Sequence, residues 1–80
     1  MQNGDIVNGT IVFWEAERGG IIDPGQGSTL LFNADDVIIG TPRVGEAVQF
    51  VFEGGADWGR ATKVVILSDA ARSAMQKSAY

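Results

Sequence analysis

Residues 9–23 read Gly-Thr-Ile-Val-Phe-Trp-Glu-Ala-Glu-Arg-Gly-Gly-Ile-Ile-Asp, two strand-like runs with a turn between them. Thr10 to Trp14 is an unbroken series of β-branched and aromatic residues, the types that fit a pleated, half-buried surface. Ile21 and Ile22 begin a second, shorter run. Between them lies Glu-Ala-Glu-Arg-Gly-Gly, where Gly19 and Gly20 tolerate the positive φ that a chain reversal needs. The pattern predicts a β-hairpin.

Outward from the hairpin, Met1 to Asp5 is polar and reads as a loose terminus, with structure starting near Ile6. Asp23-Pro-Gly-Gln-Gly27 is dense in turn formers and links the second strand to a third at Ser28–Phe32. Asn33-Ala-Asp-Asp ends that strand, because Asn and Asp side chains compete with the ladder for backbone groups; a turn of 3₁₀ helix fits Ala34 to Val37. Val37-Ile-Ile39 is apolar and is expected to pack on the core or to cap one end of a barrel. After the Gly40–Gly45 loop, Glu46–Glu53 alternates cleanly, placing Val48, Phe50 and Phe52 on one face. Gly54-Gly-Ala-Asp57 permits a reversal into a fifth strand, Trp58–Ile66. The period then changes. Ser68 suits an N-cap, Asp69 suits a helix N-terminus, and Ala70, Ala71, Ala74 and Met75 recur at spacings of three and four, which predicts a helix over Ser68–Lys77. Five short strands and one helix predict an all-β fold, a small five-stranded antiparallel barrel of the OB type with a short C-terminal helix. Residues 1–67 form the barrel domain and 68–80 a helical tail.

Eighty residues allow one domain. The chain contains neither cysteine nor histidine, which removes disulfides, thiolate and imidazole metal sites, and histidine acid–base chemistry. No run of apolar residues approaches the roughly 18 needed to cross a bilayer. These features remove most enzyme mechanisms, so that no enzyme is expected, and point to a cytoplasmic protein with no membrane partner. The net charge is −4 and unevenly placed: nine acidic against three basic side chains over residues 1–62, three basic against one acidic over 63–80. Any binding to nucleic acid should therefore lean less than usual on counterion release.

The opening hairpin resembles the cold-shock domain, whose members begin Gly-Thr-Val-Lys-Trp-Phe-Asn-x-Glu-Lys-Gly-Phe-Gly-Phe-Ile. Gly9-Thr10-Ile11, the aromatic pair Phe13-Trp14 in exchanged order, Glu17-Arg18-Gly19 and Gly20-Ile21-Ile22 fall in step when one aromatic residue is omitted after Gly19. The family's second motif, Val-Phe-Val-His-Phe, falls on Thr29-Leu30-Leu31-Phe32-Asn33, and Arg60-Ala-Thr-Lys-Val64 is similar to its closing Gln-Ala-x-Asn-Val. The resemblance covers residues 8–66. It implies single-stranded RNA or DNA binding without a cofactor, bases stacking on exposed rings, and a role in loosening RNA structure that would affect transcription or translation.

Matched position by position, the aromatic platform keeps Phe13, Trp14 and Phe32, while Ile21 and Leu30 stand in place of rings. Trp58 and the guanidinium of Arg60 are candidate replacements, and Arg18 and Lys63 complete a nucleic-acid-binding set of Phe13, Trp14, Arg18, Phe32, Trp58, Arg60 and Lys63. One of two adjacent strand residues normally points inward, so Phe13 and Trp14 divide between core and surface, with Trp14 expected outward. Phe32 is open to either place. Asp35-Asp36 reads as a solvated turn rather than a cation site, and Glu15 and Glu17 as charges that keep a hairpin tip soluble. The alternative function is a protein-interaction module whose barrel face has become aliphatic through Ile21, Leu30 and Leu31, with the tail as an added contact.

Overall fold

The computed structural model describes residues 1–55 and 58–78, and side chains up to residue 72. Its order is β1 (Ile6–Glu15), β2 (Gly19–Asp23), β3 (Leu30–Phe32), a 3₁₀ turn (Ala34–Asp36), β4 (Val37–Ile39), β5 (Ala47–Gly54), β6 (Gly59–Ile66) and α1 (Leu67–Ser78). The sheet runs β3-β2-β1-β5-β6, and a further pairing between β3 and β6 closes it into a five-stranded barrel. Closure leaves the sheet without a free edge around most of the ring.

The barrel is mixed rather than antiparallel. β3 meets β6 in parallel at Leu31↔Arg60, and β4 continues along the same side of β6, also in parallel, at Val37↔Val64 and Ile39↔Val65. The 3₁₀ turn joins β3 to β4, so a single line of chain covers one side of β6. The run Val37-Ile-Ile39 is thus a short sixth strand, with Ile38 and Ile39 exposed and Val37 packed on the core.

Every strand of the ring contributes to one core. Ile11, Ile22, Leu30 and Phe32 come from the first three strands, and Val48, Phe50, Phe52, Ala61, Val64 and Ile66 from the last two. The alternation in β5 places its apolar face inward as its sequence predicts. On β6 the alternation breaks. Ala61 and Val64 both point in, and the pairing with β5 shifts between Val51↔Thr62 and Gln49↔Val65. Such a bulge inserts one extra residue, and here Lys63 sits within it at φ 49°, in the left-handed region.

The N-terminus is held rather than loose. Gly4 N donates to Phe52 O (2.7 Å), Phe52 N to Asp5 O (2.8 Å), and Gly54 N to the Asn3 side-chain oxygen (3.1 Å), extending the β1–β5 ladder backwards. The start of the tail is tied as well, though Ser68 does not cap the helix. Its hydroxyl donates to Glu46 Oε2 (2.9 Å). Asp69 Oδ2 accepts from Thr41 N (2.9 Å), and Arg43 lies 3.7 Å from the same oxygen. Gly40 lets the two segments meet: with φ +93°, it leaves the space where a Cβ would touch Asp69 and Ile66. Met75 and Lys77, which the helix prediction includes, lie outside the described side chains.

Candidate functional site

The β1–β2 hairpin is closed by Ala16-Glu-Arg18, with Arg18 N donating to Glu15 O (3.1 Å) and Gly19 at φ +93° starting the return strand. A Cβ at Gly19 would meet Asn33 as well as the Phe32 backbone, so the position needs glycine for both conformation and space. Further along the hairpin the pairing runs Ile11↔Ile22 and then Phe13↔Ile21, leaving Val12 as an extra residue on β1. This bulge decides which ring faces where. Simple alternation from the buried Ile11 would turn Phe13 inward and Trp14 outward. The inserted Val12 reverses both, since one residue of slip exchanges the two faces of a strand.

Two rows result, on the same three strands. Inside, Trp14 pairs with Gly20 and Gly20 with Phe32. The Trp14 and Phe32 rings stack across the glycine, centroids 5.4 Å apart and planes 13° from parallel. A Cβ on Gly20 would lie 2.6 Å from the Phe32 ring and 2.7 Å from Phe13 O, so Gly20 is the gap that the ring fills. Phe32 is 2 % exposed and Trp14 is partly buried against the core. Phe32 therefore leaves the set of surface stackers, and Trp14, expected outward, turns its body to the interior.

Outside, Phe13 pairs with Ile21, Ile21 with Leu31, and Leu31 with Arg60. Phe13 is 41 % exposed and Leu31 66 %; Val12 adds its own exposed side chain through the bulge. Trp58, 60 % exposed, stands at the start of β6 and shares with Leu31 and Arg60 a shallow concavity floored by Phe32 and Gly59. The aliphatic face expected from Ile21, Leu30 and Leu31 holds for Ile21 and Leu31 only. Leu30, 6 % exposed, is core, because β3 alternates in, out, in.

The charges at this surface are mostly compensated. Arg60 Nη2 donates to Asp36 Oδ2 at 2.6 Å, and the same oxygen accepts from Asn33 N at 2.8 Å. Arg18 lies 3.4 Å from Glu15 at the hairpin tip. Arg43 and Arg72 both reach carboxylates beside the tail, Glu46 and Asp69 for the first and Asp69 for the second. All four arginines are thus in ion pairs, and among the described residues Lys63 is the basic side chain with no carboxylate within 4 Å.

Sequence reasoning named Phe13, Trp58 and Arg60 as candidate stackers and Leu31 as part of an aliphatic face, but it missed their alignment in one row and Asp36 as the anchor of Arg60. The in–out alternation of Leu30-Leu-Phe32 was a usable signal for the first. The second depends on the parallel β3–β6 contact, which no local pattern encodes. No family model matches the chain, and no curated protein matches it closely enough to count as a relative. Among the described residues no helix is long and apolar enough to cross a membrane.

Proposed function

We propose that the protein is a single-stranded nucleic-acid-binding module of the cold-shock type, built on an OB-like barrel and acting in the cytoplasm on RNA or DNA. The reading rests on the outward row Phe13–Ile21–Leu31–Arg60, flanked by Trp58. Rings on the outer wall of a small barrel offer faces to which any base can stack, each worth about 1–3 kcal/mol. Two rings and two aliphatic side chains make this a reduced platform, suited to gripping a few unpaired nucleotides without a cofactor. Weak grip of that kind fits a protein that holds RNA open and lets it go.

The test is titration with a short oligothymidine, followed by tryptophan fluorescence at low and moderate salt. Loss of binding in Phe13→Ala by this signal, and in Trp58→Ala by the anisotropy of a labelled oligothymidine, with both variants folded, supports the reading. No response of the wild-type protein at tens of micromolar overturns it. A second reading, a protein-interaction surface, is favoured by one observation: Leu31, the most exposed member of the row, is aliphatic and every nearby arginine already has a carboxylate.

A further inference from the structure

Arg60 is placed unlike an ordinary phosphate-binding arginine. Its side chain is 39 % exposed and lines a concavity with Leu31 and Trp58, while Asp36, 12 % exposed, holds Nη2 at 2.6 Å. Asp36 is itself fixed by Asn33 N and by its position in the 3₁₀ turn. One of five guanidinium donors is therefore spent on a rigid partner, and the remaining N–H groups stay beside an exposed indole. The carboxylate also offsets the charge, so an incoming anion gains less here than at a bare arginine. What the site still offers is geometric: parallel donors in a plane, next to a ring on which a base can lie.

We propose that Arg60, oriented by Asp36, gives this surface a preference for guanine over thymine, uracil and adenine, a reading that rests on the nucleic-acid function proposed above. Guanine presents two adjacent neutral acceptors, O6 and N7, on one edge, and they match two parallel guanidinium donors. Adenine puts an amino group where O6 would be; cytosine, whose O2 and N3 are free in a single strand, is the one other base with two adjacent acceptors. Thymine and uracil offer isolated carbonyl oxygens, so only one donor is used. A base stacked on Trp58 would have its edge directed along the concavity that Arg60 lines.

The experiment measures anisotropy of end-labelled single-stranded heptamers: all thymidine, thymidine with one central guanine, and the same with 7-deazaguanine, which stacks similarly but lacks the N7 acceptor. The guanine heptamer is expected to bind roughly tenfold tighter than the thymidine one, within the discrimination of a good bidentate pair, and 7-deazaguanine to lose most of that gain. Arg60→Lys should bring the affinity of the guanine heptamer down to that of the thymidine heptamer, so the readout is the ratio between the two and not either affinity alone. The analogue comparison uses only the unaltered protein, so it stands even if Arg60→Lys unfolds. Equal affinity for the three heptamers overturns the guanine preference while leaving stacking intact. Failure of all three to bind at tens of micromolar overturns both.

Discussion

The inner row Trp14–Gly20–Phe32 and the outer row Phe13–Ile21–Leu31 lie one residue apart on the same three strands, yet they have opposite physical tasks. The inner row is two large rings closing over a missing side chain, with its members buried or partly buried. The outer row is an exposed ring, a half-buried Ile21 and an exposed Leu31. Burial of the first stabilises the barrel. Exposure of the second leaves apolar area whose gain is realised only when something else covers it. The single residue Val12 separates these fates by setting which aromatic of an adjacent pair goes inside.

Breaking the inner row should have the largest effect. Phe32→Ala removes a ring that is 2 % exposed and leaves a cavity beneath Trp14, so a loss of about 3–5 kcal/mol is expected in urea or thermal unfolding. In a chain of 80 residues that is a large part of the stability normally available. Gly20→Ala should cost about 1–3 kcal/mol, because the new methyl meets both the Phe32 ring and a backbone oxygen that has little freedom to retreat. Leu31→Ala, next to Phe32 in sequence, is expected to change stability by no more than about 0.5 kcal/mol. If Phe32→Ala and Leu31→Ala melt alike, the division into two rows is wrong.

Binding should show the reverse order. Phe13→Ala and Trp58→Ala are each expected to weaken oligothymidine binding by about 1–3 kcal/mol while leaving the unfolding midpoint close to that of the parent. Trp14→Ala should lower the midpoint and remove the stack on Phe32, with binding lost only to the extent that folding is lost. Calorimetry and titration of the same three variants check the contrast. A Trp14→Ala variant that remains fully folded and no longer binds would return Trp14 to the surface and undo the argument from the bulge.

Much of the scaffold was legible in the sequence because local chemistry encodes it. Gly19-Gly20 announces the hairpin, Val48-x-Phe-x-Phe52 announces an inward face, and Asn33-Ala-Asp-Asp announces the 3₁₀ turn. What resisted reading depends on places where the strict period of two fails. The bulges at Val12 and Lys63 each insert a residue that composition does not flag, and the first inverted the expected facing of Phe13 and Trp14. The mixed sheet resisted for another reason: β3 and β4 join β6 through pairings some thirty residues apart in the chain, and a string of separate strand signals does not say which edges meet. The site shared this limit. Exposed rings could be named as candidates, but the Asp36 carboxylate behind Arg60 and the row centred on Leu31 exist only once the barrel has closed.

The smallest expected effect concerns salt, and it separates this surface from ordinary basic binders. Each phosphate neutralised on a single strand contributes a slope of about −0.7 in log K against log salt. The arginines are already matched to carboxylates, and Lys63 lies three residues beyond Arg60, about 10 Å along β6, in the bulge that turns its backbone left-handed. One phosphate contact there predicts only a roughly threefold loss of oligothymidine affinity between 50 and 200 mM salt. Lys63→Ala should flatten even that slope, and Lys63→Gly should do the same while relieving the backbone, since glycine occupies that region freely. A slope of several units would mean that cations elsewhere carry the binding, and it would move the site away from the outer row; a shallow slope that steepens when Asp36→Asn unmasks the charge of Arg60 would tie the weak salt response directly to the ion pair behind the platform.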